Sequence, residues 1–263
     1  MPVFSSHAPS TPCWVDLSSP DVDAARAFYP ALFGWQAEDQ FDDEGNRIYT
    51  LFSLGGHLVA GLGGMPPGTD GMPGMWNSYI AVADCAATVA KVEAAGGTVM
   101  MPPMQVMTAG EMAVCADPTG AVFSLWKAGE HRGAGICNEP NTYAWNELLD
   151  RDLATAKAFY SQVFGWDYEV SDMGEMGQYT VIAGGENGGL GGMMDMPDAV
   201  PAEVPNHWMV YFTVADAAAT AAAATAAGGA VVDGPFDVPG VGRIAVLADP
   251  TGASFSLMQP ADA

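Results

Sequence analysis

Residues 28–35 read FYPALFGW and residues 159–166 read FYSQVFGW, so nearly the same stretch recurs 131 positions later. Other matches keep the same order along the chain, and they include Ala94-Ala95-Gly96-Gly97 with Ala226-Ala227-Gly228-Gly229, and Asp117-Pro118-Thr119-Gly120 with Asp249-Pro250-Thr251-Gly252. Matches that stay in order over the whole length indicate a tandem duplication. We therefore predict two similar domains, at residues 1–127 and 142–263, joined by a linker at residues 128–141.

A weaker repeat lies inside each predicted domain. Residues 14–21 resemble residues 77–84, and residues 145–152 resemble residues 209–216. In each stretch a short β-prone run leads to an aspartate that opens an alanine-rich helical pattern; these aspartates are Asp21, Asp84, Asp152 and Asp216. A carboxylate at that position accepts hydrogen bonds from the free N–H groups of the first helical turn. Each domain is therefore predicted to hold two strand-then-helix units.

Strand signals follow each of these helices. In the first unit, two β-prone runs at residues 48–54 and 57–62 flank Gly55-Gly56, which is typical of a two-residue hairpin. In the second unit, the residues Asp117-Pro118-Thr119-Gly120 favour a type I turn before a strand at residues 122–126. Each unit therefore reads βαβββ, and the predicted class is α+β.

Several of these features together carry a family resemblance. Paired βαβββ units, helices that end in Phe-Tyr and then Phe-Gly-Trp, the Ala-Gly-Gly helix stop and the Asp-Pro-Thr-Gly turn resemble the vicinal oxygen chelate superfamily of glyoxalases, extradiol dioxygenases and bleomycin-resistance proteins. Within it, the chain is similar to tandem-domain bacterial members, a group that includes a mycobacterial antigen labelled "hydroxylase". The resemblance covers residues 11–127 and 142–259. It implies that the two βαβββ modules of each domain form a curved mixed sheet around a cleft.

The resemblance also implies where a metal ion would be held. Metal-dependent members of the superfamily use up to four ligands in the cleft, typically His and Glu. Carried onto this chain, these positions are Trp14, Gly61, Asn77 and Lys127 in the first domain, and Trp145, Gly191 or Gly192, Met209 and Gln259 in the second. Indole and glycine cannot bind a divalent ion, and a protonated lysine repels one. We therefore predict that neither domain holds a metal, and we expect no other cofactor.

Two carboxylates are the candidate catalytic groups. Because side chains alternate along a strand, Asp16 shares a sheet face with Trp14, and Glu147 shares one with Trp145. A carboxylate beside an indole in a cleft can act as a base with a raised pKa or accept a hydrogen bond from a ligand. The alternative is a purely structural carboxylate that holds a backbone N–H group or a neighbouring module. Glu147 is the stronger candidate of the two.

The remaining candidates form a predicted ligand pocket. His207 lies two residues before Met209 and can share its face, so a divergent metal site of His207, Glu147 and Asp195 stays open beside a rim histidine. The full predicted pocket comprises Trp14, Asn77, Tyr79, Lys127, Trp145, His207, Met209, Tyr211 and Gln259. Eight of the sixteen methionines fall between residues 65 and 112, and five fall between residues 173 and 196. Such loops either line an adaptable apolar pocket or pack over the sheets.

Composition limits the partners. Thirty-one acidic residues against eight Lys and Arg give a formal net charge of −23, which disfavours nucleic acid and anionic membranes. No secretory signal and no membrane-length apolar run is visible, so we predict a soluble, cytoplasmic protein. Four cysteines without a Cys-x-x-Cys motif predict free, inert thiols. The Gly-rich stretches at residues 61–64 and 184–192 lack the Lys-Ser/Thr of a phosphate loop.

Two functions of different classes remain open. The favoured one is a metal-independent protein of the glyoxalase/bleomycin-resistance fold that binds or sequesters an apolar or aromatic small molecule. The alternative is an enzyme of the same superfamily, a lyase, isomerase or oxygenase, that uses a divergent site in the second domain. Duplication predicts a monomer whose two domains pack with pseudo-twofold symmetry, or a homodimer of such chains.

Overall fold

The four predicted βαβββ units are all present in the computed structural model, which describes residues 3–174, 177–185 and 188–261. The first half contains β1 (Pro12–Ser19), α1 (Val22–Phe33), β2 (Gln36–Phe41), β3 (Arg47–Leu54), β4 (His57–Gly64), β5 (Met75–Ala81), α2 (Cys85–Ala94), β6 (Thr98–Val106), β7 (Gly110–Ala116) and β8 (Val122–Ala128). The second half contains β9 (Thr142–Asp150), α3 (Leu153–Phe164), β10 (Tyr168–Asp172), β11 (Gln178–Ile182), β12 (Gly191–Asp195), β13 (His207–Thr213), α4 (Ala217–Ala226), β14 (Ala230–Val238), β15 (Gly242–Ala248) and β16 (Ser254–Pro260).

Each half forms its own eight-stranded mixed sheet. The strand order is β2-β3-β4-β1-β5-β8-β7-β6 in the first sheet and β10-β11-β12-β9-β13-β16-β15-β14 in the second. In both sheets the first strand of each module lies at the centre, where β1 pairs antiparallel with β5 and β9 pairs antiparallel with β13. The α+β class and the tandem βαβββ modules are therefore confirmed. None of the helices in the described ranges has both the length and the apolar character needed to cross a bilayer.

Aspartate caps begin the four helices, as the sequence predicts. The carboxylate of Asp21 accepts from the N–H group of Ala24 at 2.9 Å, and the other three aspartates make the same contact three residues on. The helices α1 and α3 end at Gly34 and Gly165, which adopt left-handed φ angles of 72° and 73°. Glycine takes this conformation without the steric cost that a Cβ atom brings.

The two hydrophobic cores are each built from both halves of the chain. One core brings Leu17, Tyr29 and Phe33 of the first half against Phe212 and Phe255 of the second. The Tyr29 and Phe255 rings lie 5.6 Å apart between centroids, at an edge-to-face angle of 61°. The repeated Phe-Tyr residues of α1 therefore pack into the other domain as well as onto their own sheet.

The second core repeats this arrangement with the domains exchanged. Phe123 and Leu125 of the first half pack with Leu148 and Tyr160 of the second, and the Phe123 and Tyr160 ring centroids are again 5.6 Å apart. The first βαβββ module therefore packs against the fourth, and the second module packs against the third.

A buried polar chain crosses between the domains in the first core. Trp76 Nε1 donates to the hydroxyl of Tyr29 at 3.0 Å, and that hydroxyl donates to Oδ2 of Asp249 at 3.0 Å. Asp249 opens the predicted Asp-Pro-Thr-Gly turn, and its other carboxylate oxygen accepts from the N–H groups of Thr251 and Ala253. This aspartate therefore stabilises its own turn and accepts a hydrogen bond from the Tyr29 hydroxyl of the other domain.

The linker that connects β8 to β9 is bound to the first domain by backbone hydrogen bonds. The N–H group of Ala134 donates to the carbonyl of Cys13, and that of Gly135 donates to the carbonyl of Leu58, both at 2.8 Å. These contacts place the chain between the beginnings of β1 and β4. His131, in the same segment, reaches the inner face of the first sheet.

The four cysteines Cys13, Cys85, Cys115 and Cys137 are all free and buried, as predicted. Burial raises the pKa of the Cys85 thiol to about 11 and those of Cys115 and Cys137 to about 12. Because the thiolate is the reactive form, these thiols are inert at neutral pH.

Candidate functional site

In the first domain, a carboxylate lies at the centre of the sheet face that points away from the helices. Asp16 on β1 is opposite Asn77 on β5 in the antiparallel register. Its Oδ2 atom accepts from the hydroxyls of Tyr49 at 2.8 Å and Tyr79 at 2.9 Å, and its Oδ1 atom accepts from Asn77 Nδ2 at 2.8 Å. Trp14 Nε1 donates to the Tyr49 hydroxyl at 3.3 Å. The carboxylate is 7% exposed and its two oxygens have three donors.

The second domain repeats this cluster with two changes. Glu147 replaces the aspartate, and its register partner on β13 is Met209, where the first domain has an asparagine. Glu147 Oε2 accepts from the hydroxyl of Tyr211 at 2.6 Å, and Tyr179 also hydrogen-bonds to the carboxylate. Trp145 Nε1 donates to the Tyr179 hydroxyl at 3.0 Å. We name these two groups the Asp16 cluster and the Glu147 cluster.

Burial dominates the acid–base behaviour of both carboxyls. Loss of solvation raises the pKa of Asp16 and of Glu147, and the hydrogen bonds that they accept act in the opposite direction. The same burial holds the pKa of Tyr79 and of Tyr211 well above 10, so both phenols stay neutral and donate. Chemically, each cluster can accept a hydrogen bond from a ligand or hold a proton close to it.

The metal-ligand positions implied by the resemblance are filled in another way. Gly61 is opposite Asp16 in the β1–β4 register, and Gly192 is opposite Glu147 in the β9–β12 register. A Cβ atom added to either glycine would lie 1.9 Å from a tyrosine hydroxyl, that of Tyr49 or that of Tyr179. The tyrosine hydroxyl therefore occupies the space into which a side chain on this strand would project.

The donors around each carboxylate do not fit a metal ion of the superfamily's kind. Each carboxylate is already surrounded by hydroxyl donors, and the implied positions carry indole, glycine, amide, ammonium or thioether groups. Within the described ranges, no three or more His, Cys, Asp or Glu side chains come close enough to hold a metal.

Two predicted pocket residues lie on the wrong face of their strands. Lys127 is exposed and pairs with Glu111, with 3.1 Å between Nζ and Oε2. Gln259 accepts from the N–H group of Ala217 at 3.0 Å, at the start of α4. Alternation explains both errors, because the preceding residues Trp126 and Met258 are the ones that point toward the clusters.

His207 reaches only the rim of the Glu147 cluster. Its Nδ1 atom lies 2.8 Å from the carbonyl oxygen of Pro205, and burial lowers its pKa. Asp195 is exposed, and it lies three residues after Gly192, which is the residue opposite Glu147. Because this offset is odd, its side chain points to the other face of the sheet. The open alternative of a His207, Glu147 and Asp195 metal site is therefore wrong.

Three residues of the two clusters escaped the sequence analysis. Tyr49 donates its hydroxyl to Asp16, and Tyr179 donates its hydroxyl to Glu147. The recurrence of Tyr-Thr at residues 49–50 and 179–180 is a signal that could have found both tyrosines. His131 comes from the linker, where no pattern points to it. Its ring lies 4.4 Å from that of Trp14 and 5.4 Å from that of Trp126, measured between centroids.

The methionine-rich loops divide into buried and exposed positions. Met209 is buried beside Glu147, and Met193 is buried on the opposite face of its sheet, in the second core. Four others are exposed: Met72, Met100, Met104 and Met107. Met176 lies outside the described residues. The methionine beside Glu147 therefore belongs to β13 and lies outside both methionine-rich stretches.

The Gly-rich stretch of the second domain allows a close approach to the Glu147 cluster. A Cβ atom on Gly189 would lie 2.9 Å from Cη2 of Trp145, so only a glycine fits beside this indole. Glu186 and Asn187 of the same stretch lie outside the described residues.

Separately, an open groove of about 520 Å³ is lined by Arg151 and residues 195–202, away from both carboxylates. The guanidinium of Arg151 there donates to the carbonyls of Pro201 and Val204.

Comparison with known proteins agrees with this architecture. The family model described as "Glyoxalase/Bleomycin resistance protein/Dioxygenase superfamily" matches the chain twice, at residues 13–125 and 141–257. Among solved structures, the 2,3-dioxygenase LapB from Pseudomonas sp. KL28 has a TM-score of 0.67 at 14% identity, covering 97% of this chain and 94% of its own. The Mn(II)-bound glyoxalase from Novosphingobium aromaticivorans has a TM-score of 0.64 at 17% identity, covering 97% and 84%. At such identities the likeness concerns the fold alone.

Curated relatives match over nearly the whole chain. "Putative glyoxylase CFP32" of Mycobacterium tuberculosis is 47% identical over 262 residues, which are 99% of each protein. "Anthracycline biosynthesis protein DnrV" of Streptomyces peucetius is 39% identical over 268 residues, covering 97% of this chain and 95% of its own. The alignments therefore span this chain and both relatives almost from end to end.

Proposed function

The chain belongs to the Glyoxalase/Bleomycin resistance protein/Dioxygenase superfamily, and we propose that it is a metal-independent binding protein for small apolar or aromatic molecules. The observation that carries this proposal is the replacement of the metal-ligand side chains by tyrosine–carboxylate hydrogen bonds. The hydroxyls of Tyr49 and Tyr179 stand 1.9 Å from where a Cβ on Gly61 or Gly192 would lie. Each inner sheet face then offers a buried hydrogen-bond acceptor in an aromatic setting.

The surroundings of the clusters favour a ring-containing ligand. Trp145, Tyr179 and Tyr211 form a hydrogen-bonded aromatic group beside Glu147. Met209, opposite Glu147 on β13, adds a polarisable thioether that adapts to different shapes. Two relatives are named for anthracycline biosynthesis, and anthracyclines are polycyclic aromatic compounds. A ligand of this class supplies both a planar apolar body and hydroxyl groups.

The test is calorimetric titration of 2-naphthol, a small hydroxylated bicyclic arene, into the full chain before and after treatment with a metal chelator. We expect saturable binding with the same affinity in both preparations, and recovery of unchanged 2-naphthol. Metal analysis of the purified protein provides a second measurement. Stoichiometric Fe, Ni, Zn or Mn that is lost in a Glu147→Ala or His207→Ala variant would overturn the proposal.

A second candidate function rests on one observation, the buried Glu147 carboxyl with its raised pKa. Such a group can take a proton from, or return it to, a ligand that reaches it, as in an acid–base lyase or isomerase. Turnover of a bound compound that is abolished by Glu147→Gln, while binding persists, would support this enzyme function. Binding of a ligand that always returns unchanged supports the binding protein.

A further inference from the structure

The inner faces of the two sheets differ in what covers them. In the first domain the linker passes over the Asp16 cluster, and the His131 ring packs edge-on against Trp14 at 4.4 Å and 81°. Trp126 Nε1 also donates to the His131 carbonyl at 3.0 Å. Trp14 is consequently only 2% exposed.

The equivalent indole in the second domain is more open. Trp145 is partly exposed, and it contacts Tyr179 through a hydrogen bond from its indole nitrogen to the hydroxyl. Among residues 3–174, 177–185 and 188–261, no ring packs against it as His131 packs against Trp14. Within these ranges, the position that His131 fills over Trp14 is therefore not filled by a ring over Trp145.

The two carboxylates also differ in hydrogen-bonding capacity. Asp16 accepts from two tyrosines and from the amide of Asn77, which lies opposite it. At the corresponding place Glu147 faces Met209, whose thioether has no hydrogen to donate. A carboxylate has about four lone-pair sites for hydrogen bonds, and among the described residues Glu147 has one protein donor fewer than Asp16. Glu147 therefore retains hydrogen-bonding capacity that a ligand donor can use.

The covering segment is held by backbone hydrogen bonds, whereas, within the described residues, the His131 ring is held by packing alone. Backbone hydrogen bonds hold it to Cys13 and Leu58, and the N–H group of Gly129 donates to the carbonyl of Ala109 at 2.8 Å. By contrast, both ring nitrogens of His131 are buried without a hydrogen-bond partner in the described part of the chain. The ring is held there by packing against indole, which is what a bound aromatic ligand would do.

We propose that the chain binds one ligand, in the Glu147 cluster, and that the linker with His131 occupies the corresponding ligand position of the first domain. The ligand is a planar ring compound whose hydroxyl group donates to Glu147 beside Met209. This inference rests on the proposed function and specifies its site, its stoichiometry and the chemistry of its ligand.

The affinity test compares 2-naphthol with 2-methoxynaphthalene, which has no hydroxyl hydrogen, by titration calorimetry. For the wild type we expect one site per chain and about tenfold weaker binding of the methoxy compound, since one hydrogen bond to a charged or buried acceptor contributes about 1.4 kcal/mol. Met209→Asn gives Glu147 an amide donor like that of Asn77. The variant should weaken 2-naphthol binding about tenfold and remove the difference between the two compounds. Met104→Asn, the same change at an exposed methionine, is the matched control.

The stoichiometry test opens the first domain. The double variant His131→Gly and Asn77→Met removes the covering ring and the extra amide donor, so 2-naphthol should then bind at two sites per chain. Near-UV circular dichroism checks that the variants keep their packed aromatic cores. Two equal sites in the wild type, an affinity unaffected by Met209→Asn, or a single site in a folded double variant would each overturn the inference. Absence of binding to both the wild type and the double variant would instead contradict the proposed function.

Discussion

The buried carboxyls show how a single residue can carry two opposing effects. Desolvation favours the neutral form of Glu147, whereas the hydroxyls of Tyr179 and Tyr211 favour its charged form. Desolvation is the larger effect, and the pKa is raised. A folded state that holds this proton more tightly than the unfolded chain makes stability depend on pH in a defined direction.

Glu147→Gln should change that pH dependence. The ordinary pKa of the group is 4.5 and its folded pKa is higher, so its contribution is fully present below about pH 4.5 and is lost as pH rises through the folded pKa. We therefore expect the free energy of unfolding of the wild type to fall relative to that of the variant between pH 4 and pH 9. Urea unfolding across that range measures the difference. A difference that stays constant or grows in favour of the wild type contradicts the raised pKa.

Gly61→Ala should destabilise the first domain by forcing Tyr49 from its position. The added Cβ would lie 1.9 Å from the Tyr49 hydroxyl, which hydrogen-bonds to Asp16. Overpacking of this kind costs about 1–3 kcal/mol. Gly64→Ala on the same strand is the control, because a Cβ there meets no atom within 4 Å. Equal unfolding midpoints in urea for the two variants would show that Tyr49 does not fill this space.

At the scale of single elements, the alanine-rich helix α4 depends strongly on its aspartate cap. The helix α4 has the sequence AAATAAAATA, so its side chains add little beyond alanine propensity and three small buried contacts. Its cap, Asp216, accepts from the N–H group of Ala219 at 2.9 Å. The edge strands β2 and β14 differ from this helix, because their conformation depends on pairing with a neighbouring strand. Their residues are mostly exposed, and the strands are polar or irregular.

Asp216→Ala should therefore lower the free energy of unfolding by about 1 kcal/mol, the usual effect of removing an N-cap. Thermal unfolding followed by far-UV circular dichroism measures it. Asp198→Ala removes the same charge from an exposed site that caps no helix, and it should leave stability within about 0.5 kcal/mol of the wild type. Similar losses in both variants would indicate a general charge effect.

The whole molecule is held together by packing between modules of different domains. Both cores combine residues from the two halves, and the hydroxyl of Tyr29 crosses to Asp249. A sheet with helices on one side therefore buries that side only when the second domain is present. The two inner faces are left to the Asp16 and Glu147 clusters.

Separated halves should consequently fail to fold alone. We expect a fragment of residues 1–140 to lack near-UV circular dichroism and to aggregate, because Tyr29 and Phe123 lose their partners from the second half. Co-expression with a fragment of residues 141–263 should restore a one-to-one complex, seen by light scattering after gel filtration. A monomeric first half with a cooperative unfolding transition would contradict the shared cores.

Much of the candidate site could be predicted because strand alternation is local. Asp16, Glu147, Tyr79 and Tyr211 follow from counting residues along β1, β9, β5 and β13. The positions carried over from the superfamily missed the cluster face by one residue at Lys127 and Gln259, because no sequence pattern shows which face of β8 or β16 turns toward the helices. Tyr49 and His131 meet Asp16 and Trp14 from distant segments, so their roles follow from sheet register and from the path of the linker.

The amino-acid sequence by itself determined the duplication, the four capped helices, the βαβββ order and the absence of metal-binding side chains at the superfamily's ligand positions. These properties are local or repeat along the chain, and they can be read there. Only the tertiary structure decided that the tyrosine hydroxyls fill the space beside Gly61 and Gly192, that the linker covers one cluster, and that each core is shared between domains. The physical reason is that these contacts join segments far apart in sequence, whose meeting is set by strand register and by the packing of two faces that neither domain can bury alone.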